Sequence, residues 1–139
     1  ESALEYVNQA IEPLQISSNP VAIATNYNLR GQINKALGNN TDAIEDYNHA
    51  INLQPENELY YYLRGINYFQ IKNYENALTN FNHALELQPE SGGNFYWRGC
   101  TYYELGKHSE SLADFNRAIE LQPDNEEYLK WQKSLREQL

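Results

Sequence analysis

A 34-residue period constrains this chain more than any other feature. Residues 58–91 read ELYYYLRGINYFQIKNYENALTNFNHALELQPES. Shifted back by 34, Arg64-Gly65 falls on Arg30-Gly31; shifted forward, it falls on Arg98-Gly99. The same shifts carry Leu87-Gln88-Pro89 onto Leu53-Gln54-Pro55 and Leu121-Gln122-Pro123. Ala77, Phe81 and Ala84 fall on Ala43, Tyr47 and Ala50 behind, and on Ser111, Phe115 and Ala118 ahead. A unit of this length cannot bury its own apolar face, so copies must stack and share a core.

Each copy predicts two helices. In the middle copy the first runs from about Leu59 to Ile71, with Tyr61, Gly65, Tyr68 and Ile71 at helical spacing and Leu63 and Ile66 broadening the stripe. Gly65 costs roughly 1 kcal/mol against Ala in a helix interior. Its recurrence implies a close backbone approach, with Ala77 expected as the small residue facing it. Lys72-Asn73 makes the turn, and Asn73 caps a second helix from Tyr74 to Leu87. Pro89 stops that helix, because proline lacks the N–H and disfavours helix in the residue before it.

These residues resemble the tetratricopeptide repeat. The shared pattern is an aromatic residue, two further residues, Arg-Gly and an aromatic, then Ala-x-x-x-aromatic-x-x-Ala, then Pro. The resemblance divides the chain into units at 24–57, 58–91 and 92–125. It implies an all-α, right-handed solenoid of stacked antiparallel helix pairs with flanking helices. Three departures stand out: Asn34 where the other copies have Tyr68 and Tyr102, Ser111 in place of Ala, and Asn40 where they have Tyr74 and His108.

Outside the three copies, residues 1–18 read as the rear helix of a preceding unit, with Ala3, Val7 and Ala10 at second-helix spacing. The lack of Met at position 1 suggests a piece of a longer protein. Ile16 to Pro20 reads as a loop, and Ser91-Gly92-Gly93 as the most flexible link between copies. Residues 126–139 read as a capping helix with Tyr128, Leu129, Trp131 and Leu135 apolar.

Charge and composition exclude several functions. A net charge of −9 opposes nonspecific nucleic-acid binding and an anionic membrane surface. No apolar run approaches the ~20 residues that span a bilayer. The single Cys fits a reducing, cytoplasmic compartment. His49 and His83 repeat in register but converge with no third ligand, so no metal site is expected. Cys100 has no partnered base, so no catalytic or cofactor role is expected.

The resemblance implies that first helices line a concave groove. Its rows are then Thr25, Asn28, Gln32 and Lys35; Leu59, Tyr62, Ile66 and Phe69; and Tyr96, Cys100, Tyr103 and Glu104. The partner-binding candidates are Asn28, Gln32, Tyr62, Ile66, Phe69, Tyr96, Cys100 and Tyr103. Tyr61, Tyr68, Phe95 and Tyr102 already supply rings toward the partner helices. The other rings either pack sideways or form an exposed aromatic strip for a protein or peptide segment. The expected function is therefore a non-catalytic interaction module. The alternative is self-association, with a homodimer formed through the N-terminal helix. Family members that grip the C-terminal carboxylate of chaperones use Lys, Asn and Arg at set places. Here those places hold Asn28, Gln32, Leu63, Gly93 and Trp97, so no such clamp is expected. Arg30, Arg64 and Arg98 are read as structural partners of Asp46, Asn80 and Asp114 rather than as a row that binds anions.

Overall fold

The computed structural model describes residues 19–137 and, before them, Ser2, Ala3, Glu5, Tyr6, Asn8 and Gln9. Seven helices run through 19–137, and the described residues contain no strand. They are α1 (Pro20–Ala36), α2 (Asn40–Leu53), α3 (Glu58–Gln70), α4 (Tyr74–Leu87), α5 (Gly92–Glu104), α6 (His108–Leu121) and α7 (Glu126–Arg136). The rear-helix reading of 1–18 falls mostly outside the described residues, as do the last two residues of the expected cap.

Local chemistry sets the helix starts. Asn19, Asn57, Asn73, Ser91 and Asn125 each accept a backbone N–H of the helix that follows, satisfying donors the first turn leaves unpaired. Gly92 and Gly93 open α5 with Ser91 as its N-cap, rather than forming a loose link. Ser91 caps the Asn94 N–H, and the buried Asn94 side chain donates to Glu58 at 2.6 Å, which ties this turn to α3. Between the two helices of each pair, the chain passes through the left-handed region. Gly38 (φ 82°) and Gly106 (φ 71°) do so freely, whereas the middle copy places Lys72 there at φ 60°.

α1 packs on α2, α3 on α4 and α5 on α6; each second helix then packs on the next first helix, and α3 also touches α5. This neighbour-to-neighbour pattern is that of a helical-repeat solenoid. The core runs as a strip through it. Tyr47, Phe81 and Phe115, at equivalent positions of the second helices, are fully buried. They explain the recurring glycines. A Cβ on Gly65 would lie 2.8 Å from Cε1 of Phe81, one on Gly31 2.9 Å from Cε1 of Tyr47, and one on Gly99 3.1 Å from Cε1 of Phe115. The close neighbour of Gly65 is thus the Phe81 ring and not Ala77. A flat ring fills the notch a missing side chain leaves, and Ala77 packs in the same cluster as Phe81 and Ile66.

A polar ladder fixes the spacing of the pairs. Arg98 donates Nε–H and Nη2–H to Asp114 at 2.7 and 2.8 Å, and Nη1–H to Asn82 of the preceding pair at 2.8 Å. Arg64 reaches back to Asn48 at 2.6 Å, and Arg30 to Asn8 at 3.0 Å. In α7, Gln132 stands at the arginine position and donates to Asn116 at 2.6 Å. The structural reading of the arginines therefore covers only the bonds made within a pair. Each also clamps its own pair to the one before it.

Candidate partner-binding face

α3, α5 and α7 are joined in succession by aromatic contacts. Between α3 and α5, Phe69 meets Trp97 edge-on at 5.4 Å between ring centres. One period later, Tyr103 meets Trp131 of α7 edge-on at 5.8 Å. Each junction takes a third ring from the start of the second helix: Tyr74 against Phe69 at 5.5 Å, and His108 against Tyr103 at 5.5 Å. The equivalent positions at the first junction are Lys35, Leu63 and Asn40. The face is therefore polar and aliphatic at its front and aromatic behind. All six rings are half-buried, and Leu59 in the first turn of α3 is 42% exposed.

The predicted row divides into two groups. Tyr62, Phe69 and Tyr103 are half-buried, Asn28 is half-buried and Gln32 exposed. Gln32 donates to Asn28 at 3.2 Å, one helical turn away. Ile66, Tyr96 and Cys100 are only 5%, 6% and 4% exposed, which corrects their assignment as partner anchors. Tyr96 stacks on Tyr128 of α7 at 4.8 Å and donates its hydroxyl to Glu127 at 2.7 Å. Cys100 packs in the same cluster. Ile66 packs against Ala77 and Phe81. The middle turns of α3 and α5 are taken up by packing, while Phe69 and Tyr103 near their C-terminal ends stay half-buried.

Trp97 and Trp131 were not among the predicted site residues. They lie one period apart, but Trp131 falls beyond the third copy, in what reads as a cap.

Carboxylates border the aromatic stretch. Glu104 accepts the Tyr74 hydroxyl at 3.2 Å, Glu127 that of Tyr96, and Glu58 the Asn94 amide. Burial, aided by Glu127 and Glu104, pushes the Cys100 thiol up to about 12, so it is not a thiolate nucleophile at neutral pH. Burial raises the Tyr62 phenol, with Glu58 and Glu127 adding to it. Among the described residues no three His, Cys, Asp or Glu side chains are grouped to hold a metal, and no helix is long and apolar enough to cross a membrane. His49 and His83 instead lie against the rings of Tyr27 and Tyr61 at 4.7 and 4.3 Å.

Three family models match this chain. Two described as tetratricopeptide repeat match residues 58–91 and 95–125, and one described as TPR repeat matches residues 31–72. Among curated protein sequences none matches. Solved structures share the fold. The second TPR domain of human RPAP3, in complex with the HSP70 peptide SGPTIEEVD, is 27% identical with a TM-score of 0.81, covering 85% of this chain and 98% of that one. The Arabidopsis OM64 TPR domain is 22% identical with a TM-score of 0.83, covering 87% and 100%. The first TPR of Spaghetti (RPAP3), bound to the HSP90 peptide SRMEEVD, is 24% identical with a TM-score of 0.80, covering 82% and 90%.

Proposed function

The chain belongs to the tetratricopeptide repeat family, and on that footing we propose that it is a non-catalytic module that docks a segment of another protein along its first helices. The observation that carries this reading is the pair of aromatic junctions, Phe69–Trp97 and Tyr103–Trp131, repeated at one period with half-buried rings. Rigid amphipathic rings make strong anchors at little cost in side-chain entropy. The RPAP3 domain that binds an HSP70 peptide supports a peptide as the occupant.

Charge narrows the occupant. Asn28, Gln32, Leu63, Gly93 and Trp97 offer no cation to a terminal carboxylate, while Glu58, Glu104 and Glu127 flank the rings. A segment with apolar and basic side chains fits such a face, its cations meeting carboxylates and ring faces together.

The test is selection of binders from a displayed random-peptide library, followed by affinity measurement against a Leu59→Ser, Trp97→Leu variant of unchanged melting temperature. Binders enriched in Lys, Arg and apolar residues, and weakened tenfold or more by the variant, are expected. Binders that bind both proteins equally overturn the reading.

Self-association is the second reading, favoured by the exposed apolar side chains Val21, Leu29 and Leu37 of the first pair. Light scattering across concentration decides it, since a constant monomer mass removes it.

A further inference from the structure

The three arginines of the ladder are not equivalent. Arg30 pairs with Asp46 and Arg98 with Asp114, both through ion pairs. Arg64 has no carboxylate within 4.0 Å among the described residues. Its Nε–H goes to the amide oxygen of Asn80 at 2.8 Å and its Nη1–H to Asn48. Asn80 turns its own amide nitrogen away, onto the Asn76 carbonyl at 2.8 Å. Nη2, the atom that in Arg98 meets the second carboxylate oxygen, has no acceptor among the described residues. Partial burial pushes the guanidinium pKa down, where its two counterparts are raised by their carboxylates. A half-buried cation without a counterion is costly.

Beside Arg64 lies a cavity of about 380 Å³ lined by Tyr61, Arg64, Thr79, Asn80, Asn82, His83 and Glu86. The equivalent cavity of the first pair, about 300 Å³, is lined by Asp42, Glu45 and Asp46 around Arg30. One period on, those three carboxylates are replaced by Asn76, Thr79 and Asn80. The middle pair alone has lost all three acids and kept the guanidinium. The remaining carboxylate, Glu86, sits at the exposed edge and pairs with His83 at 3.2 Å.

The geometry points to an oxyanion-binding site at Arg64, in which a carboxylate or phosphate group takes the place that Asp46 and Asp114 fill in the neighbouring pairs. The anion accepts from Nη2 of Arg64, and the cavity leaves room for donation from the Asn82 amide. This site lies between α3 and α4 and is independent of the aromatic face, so either proposal can fail without the other.

The Asn80→Asp variant supplies the missing carboxylate from within and folds, because both neighbouring pairs carry that arrangement. Melting temperatures of the two proteins are compared in inorganic phosphate, acetate and chloride at matched ionic strength. Without added anion, the variant is expected to melt higher than the parent. At a tenfold excess over the dissociation constant, a bound anion should raise the parent's melting temperature by about 3–5 °C and the variant's not at all. A larger rise in phosphate assigns a phosphorylated ligand, and a larger rise in acetate an acidic side chain. Equal shifts of parent and variant in every salt, or no shift of the parent in either oxyanion, overturn the site.

Discussion

Asn34 donates its amide N–H to Oδ2 of Asp46 at 2.9 Å, in the fully buried space between α1 and α2. The first copy's apparent defect, an amide where the others have tyrosine, is thus the group that completes a buried carboxylate. Oδ1 is taken by Arg30 and Oδ2 by Asn34. Replacing Asn34 by Leu leaves Oδ2 unpaired and should cost about 1–3 kcal/mol. Asp46→Ala also strands Arg30 and should cost about 3–5 kcal/mol. Urea unfolding of the two variants should place Asp46→Ala as the more destabilised.

Lys72 holds a backbone conformation that L-residues adopt at a cost of about 1–2 kcal/mol, at the position filled by Gly38 and Gly106 in the other pairs. Lys72→Gly should therefore raise unfolding stability by about 1 kcal/mol, after the larger entropy of glycine in the unfolded chain is subtracted. A urea midpoint unchanged or lowered in the variant contradicts this account.

The ring of Phe81 is fully buried and has no room to retreat from a Cβ placed 2.8 Å away on Gly65. Gly65→Ala should destabilise the protein by about 1–3 kcal/mol despite alanine's better helix propensity. The Phe115 ring stands off to 3.1 Å, so Gly99→Ala should cost less. Thermal melts of the two variants give the order.

Alkaline pH should loosen the fold. Burial raises Cys100 from about 9 to about 12 and Tyr47 from about 10 to about 12. Within these windows the folded protein holds protons that the unfolded chain has released. Stability therefore falls as pH rises, by up to about 1.4 kcal/mol per unit for each group. Between pH 9 and 10 the thiol dominates, so Cys100→Ala should flatten the decline of the urea midpoint there. Above pH 10 Tyr47 shares the decline with Tyr96, Tyr60, Tyr62 and Tyr128, whose phenols are also raised by burial, so Tyr47→Phe should make it less steep without abolishing it.

The expectation that this face does not grip a chaperone C-terminal carboxylate has a direct check. Asn28, Gln32, Leu63, Gly93 and Trp97 supply no guanidinium or ammonium for a charge-assisted pair. Titration with the acidic peptide SRMEEVD, which the first TPR of Spaghetti (RPAP3) binds, should give no saturable heat or shift at submillimolar concentration. Saturable binding in that range would contradict the charge argument.

The helices and their turns were legible because period and capping chemistry are local. Pro89 and Asn73 mark helix boundaries, and the Arg-Gly pairs mark the register of each first helix. The face was legible only in part. Periodicity gives the angle of a residue around its own helix, and at Tyr62, Phe69 and Tyr103 the structure leaves the rings half-buried. It does not give how closely the next helix approaches, so the burial of Ile66, Tyr96 and Cys100 was not legible. The long-range ladder escaped for the same reason. Nothing in the local pattern marks Asn48 and Asn82 as the acceptors that the guanidinium of the following pair reaches.

Because every arginine of the ladder reaches toward the preceding pair, each acceptor asparagine leaves the ribosome before its donor does. Asn48 is already in place when Arg64 emerges, and Asn82 when Arg98 does. A chain growing from its N-terminus thus offers each guanidinium an acceptor already synthesised, although each pair's apolar face is covered only when the next element arrives.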